Sequence, residues 1–192
     1  MTERQHKFSG TKEVQEHLSF DHLKLSAWMD ANVADFSGPL TVKEFKGGQS
    51  NPTYQLITPT KRYVLRRKPP GVLMPSAHAV DREYRVIAAL GKTDFPIPKA
   101  YALCEDVEVI GTMFYVMEMV DGRIFWDLSL PDQTKSERAN IYRSKLETLA
   151  RLQKINPSEI GLDGFGKTEN YIARQVHRWS KIYVASETKN IP

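Results

Sequence analysis

The sequence predicts an α+β fold: a five-stranded antiparallel sheet with one inserted helix, followed by further helices. Three observations carry this prediction. Short alternating segments joined by tight turns fill residues 40–67, an apolar stripe with helical spacing follows within 77–90, and the pattern becomes helical from Ser136 onward. The sheet and its inserted helix therefore precede a mainly helical part.

The first part of the chain predicts one helix and three strands. A helical pattern covers residues 21–34, and Asp21 is placed to cap its first turn. Three segments alternate as strands, at 40–45, 53–57 and 63–67. The glycine pair Gly47 and Gly48 and the turn at 58–61 join these strands as an antiparallel meander.

The middle of the chain predicts another helix and two more strands. Three prolines and a glycine exclude regular structure at 68–76. Ser76 can then cap a helix over 77–90, and Gly91 ends that helix. The last two strands are expected within 95–104 and 111–120.

The last part of the chain predicts two long helices. The first covers 136–155 and places four residues on one face: Tyr142, Leu146, Leu149 and Gln153. A loop at 156–166 separates it from a final helix at about 169–186. We expect these helices to expose an apolar face, which favours aggregation or the binding of a partner.

Composition and charge exclude several classes of protein. No apolar run approaches the ~20 residues of a membrane span, and the N-terminus has no apolar signal segment. The single cysteine, Cys104, excludes an internal disulfide and a cysteine-rich zinc site, and it predicts a reducing, intracellular compartment, the cytoplasm by default. The net charge of +4 favours an anionic partner, but the basic residues are dispersed outside 61–68, which argues against nucleic acid.

One ordered combination of residues predicts nucleotide binding. A glycine turn lies between the first two strands, a basic residue lies in the third, and an acid lies on the inserted helix. Glycines let backbone N–H groups approach phosphates, the basic residue holds the phosphates, and the carboxylate holds the basic residue. Each element alone is a weak signal, so the prediction depends on their order along the chain.

Arg66 and Glu83 are the candidates for the base and the acid. Strand alternation places Arg66 and Arg67 on opposite faces, and we expect Arg66 to contact phosphate. Glu83 lies beside the apolar stripe with no basic residue at i±4, so we expect Arg66 to be its partner. The alternatives are that both arginines solvate a sheet edge and that Glu83 is an exposed carboxylate.

Six segments resemble the aminoglycoside phosphotransferase and choline kinase-like family. They are "GGQSNPTY" (47–54), "YVLRRKPPG" (63–71), "HAVDREYRVIAAL" (78–90), "FPIPK" (95–99), "GTMFYVMEMVDGRIFWD" (111–127) and "RQVHRWSKIY" (174–183). Within that family the sequence is most similar to kinase-like domains that precede an acyl-CoA dehydrogenase and to stand-alone bacterial relatives. The resemblance implies a protein kinase-like N-lobe and an ATP-dependent phosphotransferase acting on the hydroxyl of a small molecule.

The resemblance also implies roles for individual residues in binding ATP. The glycine turn would cover the phosphates, Arg66 would stand where many kinases have lysine, and Glu83 would be its helix partner. The backbone of the "MEM" hinge would hydrogen-bond adenine, although Met117 and Met119 are also typical of strand packing. The implied nucleotide-binding set is Gly47, Gly48, Gln49, Ser50, Asn51, Arg66, Glu83, Glu118 and Met119.

The catalytic segments of the family do not occur in these 192 residues. None of the five histidines is followed by Gly-Asp, and "FWD" at 125–127 reverses the Asp-Trp pair that binds magnesium in the family. Gln153 stands where relatives commonly have histidine. We therefore expect no catalytic residue and no metal ligand in this chain, no phosphotransfer by it alone, and Mg²⁺ bound by a C-lobe segment that the sequence lacks.

The resemblance divides the chain into an N-terminal helical extension (1–39), a kinase-like nucleotide-binding N-lobe (40–120) and the truncated start of a helical C-lobe (121–192). The implied acceptor is a hydroxyacyl-CoA such as a 4-hydroxyacyl-CoA, while the looser family name points to aminoglycosides. One alternative is an inactive nucleotide-binding or interaction fragment, and another is a basic nucleic-acid module. The resemblance adds peroxisomes and mitochondria to the compartments considered.

Overall fold

The computed structural model describes residues 3–48, 50–71, 78–166 and 169–186. These residues form six helices and six strands. In chain order they are α1 (Glu3–Phe8), β1 (Thr11–Lys12), α2 (His22–Asn32), β2 (Thr41–Phe45), β3 (Thr53–Ile57), β4 (Arg62–Arg67), α3 (Val80–Leu90), β5 (Ala100–Cys104), α4 (Val107–Ile110), β6 (Phe114–Glu118), α5 (Lys135–Lys154) and α6 (Tyr171–Ser186). Single 3₁₀ turns lie at Glu16–Leu18 and Ser158–Ile160.

The strands form one antiparallel sheet in the order β1-β2-β3-β4-β6-β5. The predicted meander of β2, β3 and β4 is confirmed. The sheet has six strands rather than the expected five, because Thr11–Lys12 pairs with the outer edge of β2. A two-residue strand is too short to produce an alternating pattern, so it could not be predicted from the sequence.

The start of one helix was predicted correctly from the sequence and the start of another was not. The predicted cap of α2 is confirmed, since the Asp21 carboxylate accepts hydrogen bonds from the N–H groups of Leu23 and Lys24. Helix α3, expected from residue 77, instead begins at Val80. His78 has a φ of +56°, which a right-handed helix cannot contain. Ser76, predicted as the cap, lies outside the described residues.

The core lies on one face of the sheet, where α2 covers it. Its buried members come from strands and helices alike: Leu25, Met29, Val33, Val42, Tyr54, Leu56, Tyr63, Leu65, Cys104, Ile110, Phe114 and Val116. Because Leu25, Met29 and Val33 belong to the N-terminal extension, the extension is packed into the same core as the strands. On the opposite face of β4, Arg66 contacts helix α3.

The last two helices expose apolar side chains, as the sequence predicted. Leu146 on α5 is 63% exposed, Trp179 on α6 is 61% exposed, and Gln153 is exposed on the same helix as Leu146. None of the described residues of either helix is buried. Among the helices described, none combines the length and the apolar composition that crossing a membrane requires.

Candidate nucleotide-binding site

The predicted pairing of Arg66 with Glu83 is confirmed, and it joins strand β4 to helix α3. Arg66 Nε on β4 donates to Glu83 Oε2 on α3 at 2.7 Å, and Arg66 Nη1 donates to Thr53 Oγ1 on β3 at 3.0 Å. Thr53 stands opposite Arg66 in the strand register, which explains the second contact. The guanidinium is thus fixed by two of its nitrogens, and Nη2 makes no hydrogen bond within the described residues. This third nitrogen is available to an anion.

Glu83 accepts hydrogen bonds from three side chains. Besides Arg66, the hydroxyl of Tyr115 donates to Oε2 at 3.1 Å and the Asn51 amide donates to Oε1 at 3.0 Å. Burial raises the pKa of Tyr115, and the charge of Glu83 and the hydrogen bond to it raise that pKa further. Tyr115 therefore remains a protonated donor at neutral pH, and the Glu83 carboxylate is held from both of its oxygens.

Tyr115 is a site residue that the sequence did not reveal. It lies on β6, directly opposite Arg66 in the strand register. The sequence predicts β6 as a buried strand, but the pairing of β6 with β4 depends on sheet topology. Period-two alternation alone could have placed Tyr115 on the same face as Met113 and Met117, without naming its partner.

The two glycines of the turn are required for different physical reasons. Gly48 has a φ of +106°, a conformation that residues with a Cβ rarely adopt. Gly47 lies against Trp126 instead: a Cβ there would stand 2.5 Å from Trp126 Cζ2 and 3.0 Å from the Phe8 carbonyl oxygen. The turn is therefore contacted by the segment that follows β6 and by α1. The phosphate-covering role that the resemblance implies for both glycines stays a prediction.

Trp126 is itself held by the N-terminal helix. Its ring centroid lies 5.3 Å from that of Phe8, and its backbone N–H donates to the side chain of Gln5. The Gln5 amide also donates to the Ile124 carbonyl oxygen. The indole Nε1 of Trp126 is buried and has no hydrogen-bond partner among the described residues. Helix α1 and Trp126 together form one side of the glycine turn.

Asn51 and Ser50 end the turn in different environments. Asn51 is 4% exposed and contacts both Glu83 and His78, whereas Ser50 is exposed. Gln49, predicted to contact phosphate, lies outside the described residues. The contact of His78 with Asn51 was not predicted, because the helical pattern over 77–90 includes His78.

The predicted hinge is partly occupied by the protein's own hydrogen bonds. The Glu118 N–H donates to the Lys99 carbonyl oxygen at 2.8 Å, and the Glu118 carboxylate accepts from the Lys99 N–H at 3.0 Å. The Glu118 N–H is therefore not free for a ligand. The Glu118 carbonyl oxygen and the backbone of Met119 are the remaining candidates for hydrogen bonds to adenine. Glu118 and Met119 line a cavity of about 460 Å³ together with residues 57–62.

Arg67 has a structural role on the opposite face of β4, which excludes the idea that it solvates an edge. It is 2% exposed, and its guanidinium donates to the carbonyl oxygens of Leu18 and Ile110. The rings of Phe20 and Tyr54 lie 5.0 and 5.5 Å from its Cζ atom. The alternation of side chains along β4 therefore places Arg67 in the core and Arg66 in the candidate site.

No group of three or more histidine, cysteine, aspartate or glutamate side chains could hold a metal ion in the part of the chain that the structure describes. What the described residues offer instead is a guanidinium fixed by Glu83 and Thr53, a glycine turn and a hinge carbonyl. These are groups that bind the phosphates and base of a nucleotide.

Comparison with known proteins identifies the family. Residues 41–192 match the phosphotransferase enzyme family. The chain belongs to this family. A crystal structure from Ralstonia eutropha, named as a candidate aminoglycoside phosphotransferase, is 48% identical, superposes with a TM-score of 0.77 and covers 91% of this chain. The chain covers 50% of that bacterial protein.

Two longer proteins are also similar to this chain over part of their length. Acyl-CoA dehydrogenase family member 11 of Rattus norvegicus is 45% identical over 186 residues, and acyl-CoA dehydrogenase family member 10 of Mus musculus is 40% identical over 183 residues. Each match covers 95% of this chain but only 24% and 17% of the respective relative. The predicted resemblance to this family and the α+β fold are both confirmed.

Proposed function

We propose that this chain is the nucleotide-binding part of an ATP-dependent phosphotransferase that acts on the hydroxyl group of a small molecule. The observation that carries the proposal is the Arg66 guanidinium, held by Glu83 and Thr53 with Nη2 left for an anion. Membership of the phosphotransferase enzyme family supports the same activity.

The proposal gives each part of the site a role in holding ATP. The Arg66 Nη2 and Nη1 groups contact phosphate oxygens, and the backbone N–H groups of the turn at Gly47 and Gly48 cover the phosphates from above. The Glu118 carbonyl oxygen and the Met119 backbone receive the adenine. Ser50 and Gln49 complete the set that we assign to the phosphates. Magnesium, when bound with ATP, neutralises phosphate charge.

The proposed acceptor is a hydroxyacyl-CoA. Support comes from the acyl-CoA dehydrogenases of rat and mouse, whose names mark them as enzymes of acyl-CoA chemistry and which share 45% and 40% identity with this chain. The second candidate acceptor is an aminoglycoside, which the name of the Ralstonia eutropha protein supports. An assay of ADP release distinguishes the two candidates. The protein that carries this sequence is mixed with ATP, magnesium and either acceptor, and the true acceptor increases the release of ADP.

A second candidate function applies to the 192 residues as an isolated polypeptide, which we propose binds nucleotide without transferring phosphate. The supporting observation is that its sequence contains neither a His-Gly-Asp nor an Asp-Trp pair. Phosphotransfer needs an aspartate beside the acceptor hydroxyl and further ligands for magnesium. ATP turnover by this polypeptide with any hydroxyl acceptor, lost on changing Arg66, would contradict this proposal.

Calorimetric titration with ATP tests the proposed binding. We expect the wild-type chain to bind ATP and Arg66→Ala to weaken binding by about tenfold or more, since a charge-assisted contact is lost. Arg151→Ala is the control for loss of charge, because Arg151 is also an arginine paired with an acid, Asp94, but is more exposed than Arg66 and lies on α5 rather than beside the turn. Equal loss in both variants would show a general charge effect.

A further inference from the structure

Asn51 joins three separate parts of the candidate site. Its Nδ2 donates to Glu83 Oε1 at 3.0 Å, and its Oδ1 lies 2.7 Å from His78 Nδ1. Its backbone carbonyl oxygen accepts from Thr53 Oγ1 at 3.0 Å. Since Thr53 and Glu83 are the two residues that hold the Arg66 guanidinium, Asn51 contacts both supports of that group.

The chemistry of these contacts fixes both the amide and the imidazole. A carboxylate only accepts hydrogen bonds, so Asn51 must present its NH₂ group to Glu83 and its carbonyl oxygen to His78. His78 Nδ1 must then carry the hydrogen and act as the donor. The chain of donors therefore runs in one direction, from His78 to Asn51 and from Asn51 to Glu83.

His78 is held in a backbone conformation that a residue with a Cβ rarely adopts. Its φ of +56° falls in the left-handed region, where glycine would be unstrained. A histidine at such a position is accounted for if its side chain does something that glycine cannot. The observed use of that side chain is the hydrogen bond to Asn51.

The network is confined to the surroundings of Arg66. Both Glu83 oxygens are occupied, Oε1 by Asn51 and Oε2 by Arg66 and Tyr115. Without the Asn51 donor, Oε1 has no partner among the described residues, and the carboxylate is held through Oε2 alone. The consequence would be a guanidinium that is present but no longer fixed in direction.

We infer that His78 and Asn51 are positioning residues that fix the Arg66–Glu83 pair in the geometry that receives the nucleotide phosphates. The inference rests on the proposed function for the identity of the ligand. It predicts that the two residues affect affinity for phosphates and leave affinity for the nucleoside unchanged, because the hinge groups that receive adenine lie outside the network.

The test compares ATP with adenosine as calorimetric ligands of the full chain. We expect His78→Gly and Asn51→Ala to weaken ATP binding about tenfold, the effect of losing one hydrogen bond of the network that holds Glu83, with adenosine affinity unchanged. His78→Gly tolerates the positive φ, so its folding is preserved. His78→Asn is the rescue variant: its Nδ2 replaces Nδ1 as the donor, and asparagine also accepts a left-handed backbone.

A spectroscopic readout separates this inference from the proposed function. In the wild-type chain without ligand, the NMR signal of the Arg66 Nε–H group should be protected from exchange with solvent by Glu83. We expect His78→Gly and Asn51→Ala to reduce this protection and His78→Asn to restore it. A wild-type chain that binds neither ligand would contradict the proposed function, and the Nε–H signal would then decide the positioning role alone.

Three results would overturn the inference. The Arg66 Nε–H protection could be the same in all variants, ATP and adenosine affinities could fall together, or His78→Gly could bind ATP as tightly as wild type. Each result would show that the contacts of Asn51 do not position the Arg66–Glu83 pair for phosphate binding.

Discussion

Trp126 lies directly against Gly47, so that a Cβ at Gly47 would stand 2.5 Å from the Trp126 Cζ2 atom. The neighbouring Gly48 has open space around its Cα but a φ of +106°. Two adjacent glycines are therefore needed for two different reasons, a close approach and a backbone conformation. This difference can be measured, because each reason predicts its own response to an added methyl group.

Gly47→Ala should displace Trp126 from the turn. The added methyl overlaps the indole ring and the Phe8 carbonyl oxygen, which we expect to cost about 1–3 kcal/mol of unfolding free energy. Tryptophan fluorescence should shift to longer wavelength as the ring becomes exposed. Gly48→Ala is the matched control: backbone strain lowers its stability by about 1 kcal/mol without moving the fluorescence. The same spectral shift in both variants would contradict this account.

Arg66→Lys should weaken ATP binding although the charge is kept. Arginine reaches Glu83 through Nε, Thr53 through Nη1 and an anion through Nη2, whereas one ammonium group cannot occupy these three directions. We expect an affinity loss of about tenfold by calorimetry. The control variant Arg151→Lys, in which an exposed arginine on α5 is changed, should bind ATP as wild type does. Unchanged affinity for Arg66→Lys would show that only charge matters.

Arg67→Met should destabilise the fold without touching the nucleotide. The substitution removes the donor that Arg67 supplies to the Ile110 carbonyl oxygen in a buried setting, whereas the Leu18 carbonyl oxygen keeps the Tyr54 hydroxyl as a donor. We expect a cost of about 1–3 kcal/mol in urea unfolding. Arg62→Met is the control in the same strand, where an exposed ion pair with Asp121 contributes less than about 1 kcal/mol. Equal effects of the two changes would contradict the buried role of Arg67.

Glu44 should make stability depend on pH. Burial raises its pKa, but hydrogen bonds from the Gln15 backbone and the Lys12 side chain outweigh burial and hold the pKa below the usual 4.5. A lowered folded pKa contributes stability that is present above pH 4.5 and is lost as pH falls through the lower folded value. Glu44→Gln should lower stability at pH 7 and flatten the acid limb of the stability curve.

The control for Glu44 is Glu13→Gln. Glu13 is also an acid of the N-terminal region and pairs with Lys43, but its side chain is 83% exposed. We expect this change to leave the acid limb of the curve as in wild type. If Glu44→Gln retained the full pH dependence, the attachment of the N-terminal extension to β2 through Glu44 would not be the source of it.

Local patterns predicted the paired groups of the site because each pattern is short-range. Alternation along β4 separated Arg66 from Arg67, and the helical stripe placed Glu83 towards the sheet. Tyr115 could not be found this way, since its position opposite Arg66 depends on how β6 joins the sheet. Global pairing, which involves residues far apart in sequence, is what single-sequence patterns do not contain.

Backbone conformation set the second limit of sequence reasoning. Continuous helical periodicity through 77–90 hid the left-handed residue at His78, which delays the start of the helix to Val80. The His78 imidazole contacts Asn51 instead. The hinge prediction did not include the bond from the Glu118 N–H to the Lys99 carbonyl oxygen. The binding of adenine by the Glu118 and Met119 backbone stays a prediction. The predicted boundaries at residues 39 and 120 remain predictions.

The most direct test of the central claim is an amide and guanidinium NMR spectrum of the wild-type chain recorded with increasing ATP. The account predicts that the largest shifts occur at the Gly47 and Gly48 amides, the Arg66 Nε–H group and the Met119 amide. Shifts confined to other parts of the chain, or no saturable shift at all, would contradict a nucleotide site between the glycine turn and the hinge.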